Sequence, residues 1–175
     1  LNAGYRTSDT IIQKTVAFII ERQKSDGSWD SSVDVTAAAI QALEMASMLP
    51  GAEGALAKAK SYLHSKQEND GGWENSFSTS WSLQAIAALG ESMSSWTPGS
   101  DSPEEYLAKL QQEDGGVDST STSDSMRIWA TAYAIPAVKN KTWDSLIRSL
   151  SKPKTTTKPD TGTTSTTTRA TATTT

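Results

Sequence analysis

The sequence predicts an all-α fold of about three antiparallel helix-hairpin repeats, on three observations. A turn motif recurs three times at equal spacing, an amphipathic run precedes each copy, and a small-residue apolar run follows each. The copies are QKSDGSW from Gln23 to Trp29, QENDGGW from Gln67 to Trp73 and QQEDGGV from Gln111 to Val117, so successive starts are 44 residues apart. A period near 40 residues is that of stacked helix pairs.

Taken in order, Leu1-Asn2-Ala3-Gly4-Tyr5 reads as the close of a helix, comparable to Ala87-Ala88-Leu89-Gly90, so the chain is expected to be cut inside an upstream repeat. The first outer helix, TIIQKTVAFIIERQ, places Ile12, Val16 and Ile19 on one stripe; ALAKAKSYLHSKQ does the same with Leu56, Ala59 and Leu63. The third outer helix opens with Ser102-Pro103-Glu104-Glu105, a hydroxyl N-cap, proline at the first position and glutamate at the third, which is a full capping box. The inner runs VTAAAIQALEMA, TSWSLQAIAALG and DSMRIWATAYAIPAV are apolar on more than one side, as suits helices packed all round. Caps are expected at Asp34, at Ser78 or Thr79, and at Ser123 or Asp124, while Pro136 should kink or end its helix.

Each turn must reverse the chain. Gly27, Gly71-Gly72 and Gly115-Gly116 supply positive φ, and Asp26, Asp70 and Asp114 bond backbone N–H groups two residues on. Trp29 and Trp73 are expected to cover the seam to the next hairpin, with the Gln23, Gln67 and Gln111 amides bonding an adjacent helix end. Val117 loses the ring, so the third seam should be weaker. His64, late in an outer helix, reads as solvated or as a C-terminal capping residue. Trp96 reads either as a plug over a helix joint or as an exposed contact.

Composition sets the limits. Residues 1–150 form the foldable part, with twelve Lys and Arg against nineteen Asp and Glu, a net charge of −7. That argues against nucleic acid and anionic lipid as partners. Residues 151–175, SKPKTTTKPDTGTTSTTTRATATTT, hold no large apolar side chain and are expected to be a disordered linker or stalk. With no cysteine, disulfides, thiolate ligands, thioesters and thiol nucleophiles are excluded. No apolar run approaches the ~20 residues of a membrane span. Asn140-Lys141-Thr142 matches a glycosylation acceptor.

The Gln-x-x-Asp-Gly-x-Trp turns resemble the QW-type repeats of the terpenoid cyclase and protein prenyltransferase superfamily, over residues 1 to about 145. The resemblance implies a partial α/α toroid, with outer helices ending in the motif and inner helices lining a central cavity. Relatives close such rings from five to seven repeats, so the open flank of the first hairpin implies further repeats upstream or a second copy of the chain. The closing stretch from Trp129 to Val138 with Lys141-Thr142-Trp143 is similar to the last repeat of toroid domains in bacterial surface proteins, and the Thr-rich stretch after it suits an extracellular or cell-surface setting.

The same resemblance bears on chemistry. Squalene-hopene type cyclases protonate an alkene with an Asp-x-Asp-Asp-Thr-Ala motif; the matching window, Ser32-Val33-Asp34-Val35-Thr36-Ala37, keeps one carboxylate of the three. A lone Asp34 reads first as a cap and only weakly as a catalytic acid. The prenyltransferase zinc site requires cysteine, as does the thioester of complement-type toroids, so neither can be built; no metal or other cofactor is expected. Transcobalamin-like toroids bind a ligand at the cavity mouth, which here implies Asp34, Thr36, Ser80, Trp81, Asp124, Ser125 and Arg127 as lining candidates. Trp81 stands out, read against Ala37 in the first repeat and Met126 in the third. The leading reading is a non-catalytic binding or scaffold module of a secreted or surface-anchored protein, taking a small hydrophobic or cofactor-like ligand. Its rivals are a terpene cyclase-type enzyme with catalytic residues outside this segment, and ligand capture of the transcobalamin kind.

Overall fold

A computed structural model of the protein describes residues 1 and 3–147. The stalk expected at 151–175 and the residue Asn2 lie outside the described residues. Three outer helices, α1 (Thr10–Glu21), α3 (Ala52–Lys66) and α5 (Pro103–Leu110), alternate with three inner helices, α2 (Val33–Glu44), α4 (Ser76–Leu89) and α6 (Asp124–Val138); a short α7 (Trp143–Leu146) follows. The protein is all-α and toroid-like among the described residues, as the repeat predicts.

The turns are three copies of one hydrogen-bonded device. Asp26 Oδ1 accepts from Ser28 N at 3.0 Å, Asp70 Oδ1 from Gly72 N at 3.0 Å and Asp114 Oδ1 from Gly116 N at 3.0 Å. Positive φ falls on the first glycine of each turn, at 89° for Gly27, 87° for Gly71 and 84° for Gly115. Gly72 and Gly116 do not share it; Gly72 is needed because a Cβ there would press into the Tyr106 ring. The Trp29 indole donates to Ile19 O at 2.7 Å and the Trp73 indole to Leu63 O at 2.8 Å, so each ring also locks the end of its own outer helix.

A threonine on each inner helix holds the turn from the other side. Thr36, Thr79 and Thr131 Oγ1 accept from the backbone N–H of Trp29 at 3.1 Å, Trp73 at 2.9 Å and Val117 at 2.9 Å. These bonds set the true register between repeats: Thr36 and Thr79 are 43 residues apart and Thr79 and Thr131 are 52 apart, so it departs from the 44-residue sequence period slightly in the second repeat and strongly in the third. A longer connection and a longer first part of α6 carry Thr131 away from the place that simple translation would give it. The counterpart of Trp81 is therefore Tyr133, not Met126, and Ala38 replaces Ala37 in the first repeat; the aromatic at this position is shared by two inner helices.

Two capping expectations need correction, and the third holds in position only. Ser32 caps α2, its hydroxyl accepting from Val35 N at 3.3 Å, and Asn75 caps α4, accepting from Phe77 N at 2.9 Å and Ser78 N at 3.0 Å. Asp34 sits inside the first turn of α2, where its charge still favours the helix end. Ser123 is the N-cap residue of α6 without a capping side-chain bond, whereas the capping box at Ser102 and Glu105 forms in full. Pro136 does not break α6, which runs two residues further to Val138.

The core follows the seams. Val33, Ala37, Ile40 and Leu43 of α2 pack with Ala55, Leu56, Ala59 and Leu63 of α3, while Leu83 of α4 packs with Leu107, Val117, Ala130 and Ala134. Trp96, in a single 3-10 turn at Met93–Trp96, is a fully buried plug. The His64 ring stacks flat on it, centroids 3.6 Å apart, and Trp73 lies 5.9 Å away. His64 stays exposed to solvent in the last turn of α3, as the sequence suggests, and its ring also forms a lid on the second seam. Burial and neighbouring Lys60 hold its pKa below the usual histidine value, against the opposing pull of Glu91. No helix among the described residues is long and apolar enough to cross a membrane.

Candidate functional site

The inner helices bring their N-terminal halves together around a cleft of about 320 Å³ lined by Asp34, Asn75, Phe77, Trp81, Met126, Trp129 and Tyr133. Helix register explains the arrangement: Phe77 and Trp81 lie one turn apart on α4, as Met126, Trp129 and Tyr133 succeed one another on α6. Tyr133 is the hub. Its ring centroid lies 5.9 Å from Phe77, 5.6 Å from Trp81 and 5.8 Å from Trp143, at tilted or edge-on angles that suit aromatic pairs. The segment after α6 folds back under this group, with Trp143 N donating to Gln41 Oε1 of α2 at 3.3 Å.

Asp34 supplies the one carboxylate of the cleft lining. Its Oδ1 is enclosed with no hydrogen-bond partner among the described residues, so a polar group in the cleft would gain a strong acceptor. Towards the other end of the inner helices, Gln41, Glu44, Met45, Ala87, Ala88, Thr142 and Asp144 line a second, more polar hollow of about 270 Å³. There, burial pushes the Glu44 carboxyl above the usual range.

The seven positions singled out in the sequence separate into three groups. Asp34 and Trp81 meet in the aromatic cleft. Thr36 and Ser80 are buried and satisfied, Thr36 by the Trp29 N–H and Ser80 by donating to Ser76 O at 2.7 Å, and neither lines the cleft. Asp124 and Arg127 line a separate groove at the outer side of the third repeat, and Ser125 is exposed beside Ser123. Arg127 pairs with Asp114 at 2.6 Å, which lowers the pKa of that carboxyl and ties α6 to its own turn. Sequence reading missed Phe77, Trp129 and Tyr133 as cleft residues. The signal was the aromatic spacing across TSWSLQ and RIWATAY, hidden by the shifted register of α6.

The motif glutamines act at the seams. Gln23 Nε2 donates to Gly27 O at 2.9 Å and to Ala55 O of the next repeat at 2.8 Å; Gln67 Nε2 donates to Gly71 O at 3.0 Å and to Trp96 O at 2.6 Å. Gln111 donates to Gly115 O at 3.1 Å.

A family model described as the squalene-hopene cyclase C-terminal domain matches residues 1–100, which covers the first two turns and the helices α1 to α4. No curated protein and no solved structure matches the chain. With the repeated turn, the all-α toroid-like fold and a match over more than half its length, the chain belongs to the squalene-hopene cyclase C-terminal domain family.

Proposed function

We propose that the chain is a non-catalytic binding module of a secreted or surface-anchored bacterial protein, with a toroid repeat domain at 1–150 and a Thr-rich stalk at 151–175. Its aromatic cleft takes a small ligand with an apolar body and a positive group. The observation that carries this reading is the meeting of Phe77, Trp81, Trp129 and Tyr133 with the unpartnered Oδ1 of Asp34. Aromatic faces attract organic cations, and a carboxylate beside them fixes the orientation. A proton-donating role for Asp34 is disfavoured because no second carboxylate lines the cleft to hold it as a strong acid. The composition of the Thr-rich stretch supports the surface setting.

The test is a tryptophan-fluorescence titration with benzyltrimethylammonium and its neutral isostere neopentylbenzene. Saturable quenching by the cation is expected, weakened about tenfold by Asp34→Asn, which corresponds to about 1.4 kcal/mol, and abolished by Trp81→Ala. Equal response to both probes, or none, rejects the reading. The family match favours a second reading, part of a cyclase with catalytic residues elsewhere. Incubation with squalene tests it, and a cyclised hydrocarbon would replace the binding proposal with an enzymatic one.

A further inference from the structure

The threonine register shows what the outer side of the third repeat is. On α2 the stripe Val33, Ala37, Ile40 and Leu43 is buried, and on α4 its counterparts Ser76, Ser80, Leu83 and Ile86 are buried as well. The same four positions on α6 are Ile128, Ala132, Ile135 and Val138, and all are open, with Ile128 65 % and Ile135 59 % exposed. The turn beside them has Arg127 against Gly116 and Asp114 but no outer helix over it among the described residues. A Cβ on Gly27 would strike Lys58 O of the next repeat and one on Gly71 would strike Asp101 O, whereas one on Gly115 meets nothing within 4 Å. Gln111 likewise bonds only its own turn among the described residues, where Gln23 and Gln67 each reach a carbonyl beyond it.

The complementary half stands at the other end of the chain. One repeat period before Ala55, Lys58, Ala59 and Tyr62, the α3 positions equivalent by the 44-residue spacing are Ile11, Lys14, Thr15 and Phe18 of α1. Ala55, Ala59 and Tyr62 are buried, but Ile11 is 56 % and Phe18 55 % exposed, and Arg22 lies over the Phe18 ring at 3.4 Å from its centroid. Tyr62 stands near Asp26, and Tyr106 lies against Gly72 near Asp70, so the aromatic at this position faces the turn of the preceding repeat.

We infer that a second copy of this chain covers the open face, its α1 seating on α6 and the third turn as α3 seats on α2 and the first turn. The contact continues the two internal seams with the same residue positions. Charge agrees with it: the stretch 10–24 carries Lys14, Arg22 and Lys24 against Glu21, while 111–118 carries Glu113, Asp114 and Asp118, of which Asp114 is paired with Arg127. In the contact, Phe18 lies over the third turn beside the Arg127 guanidinium that rests against Gly116, and Gln111 donates to Ile11 O of the second copy. Two such contacts, related by a two-fold axis, cover both faces of both copies.

Light scattering on the full chain tests this. Wild type is expected at twice the 18.7 kDa of one chain. Phe18→Asp and Ile135→Asp, both at exposed positions and checked for unchanged helicity, should each run as one chain, with at least about a tenfold weaker association. Mixed in equal amounts they should associate again, because one contact then joins the intact α1 of one variant to the intact α6 of the other. A wild-type mass of one chain overturns the inference and leaves the faces to further repeats of a longer polypeptide. Failure of the mixture to recover overturns it too, since it means the two residues do not belong to one contact.

Discussion

The first two turns and the third have nearly the same internal hydrogen bonds, and yet they sit in different environments. At Gly27 and Gly71 the next outer helix closes over the turn, the tryptophan ring is buried, and the glutamine spans the seam. At Gly115 the turn closes on itself and Arg127, Val117 stands in for the ring, and the flank is open. The difference separates two jobs of one motif. The aspartate, glycine and glutamine-to-glycine bonds make the reversal locally, and the tryptophan and second glutamine bond join it to a neighbour. Substitutions at paired positions should therefore diverge, and each pair is a way to break the comparison.

The largest divergence is expected at the seam residue itself. Trp73→Ala removes a fully buried ring and its bond to Leu63 O, a loss of about 3–5 kcal/mol, against about 1–2 kcal/mol for Val117→Ala; chemical denaturation reads both. Comparable losses would mean that the third turn is as deeply seated as the second. Next come the glycines. Gly27→Ala combines positive φ with a Cβ only 2.3 Å from Lys58 O and should cost about 3 kcal/mol or more, while Gly115→Ala meets only the backbone term, about 1 kcal/mol. Thermal melts of the two variants decide this, provided they are compared under conditions where the chain is a monomer.

A smaller split is expected for glutamine. In the monomer, Gln67→Ala loses bonds to Gly71 O and Trp96 O and should cost about 1–2 kcal/mol; Gln111→Ala loses one bond at an exposed turn and should cost under about 1 kcal/mol. The smallest effect concerns pH and sharpens the picture of the second seam. The folded state holds the His64 pKa below its ordinary 6.5, so the unfolded chain binds more protons below that pH. Stability from this source is fully present above pH ~6.5 and falls as pH drops through the folded value. The melting temperature of wild type should decline over that window more than that of His64→Gln; parallel curves would mean that the stack on Trp96 does not respond to protonation.

How much of this was legible depended on distance along the chain. The turns could be read residue by residue because Asp26 to Ser28, or Gly71 to Glu68, are contacts within a few residues whose geometry follows from residue type. The capping box at Ser102 was legible for the same reason. The caps at Ser32 and Asn75 were misjudged by two to four residues because several polar side chains compete at each inner-helix start, and packing chooses among them. The candidate cleft was half legible: Asp34 and Trp81 were named, but Tyr133 and Trp129 required the register of α6, which the hydrogen bond from Val117 N to Thr131 sets. The stack of His64 on Trp96 spans 32 residues and has no local signature.

The sequence by itself determined the repeat, the hairpins and the chemistry of their turns, since these rest on φ preference, side-chain-to-backbone bonds and apolar periodicity. Tertiary structure decided which face each repeat buries and where the aromatic rings converge. It also decided that Val33 and Ile40 are covered while Ile128 and Ile135 are not. The stripes on α2 and α6 are similarly apolar, and no property of the residues distinguishes them; burial comes from the neighbour that packs there, and a neighbour is a fact of three-dimensional arrangement.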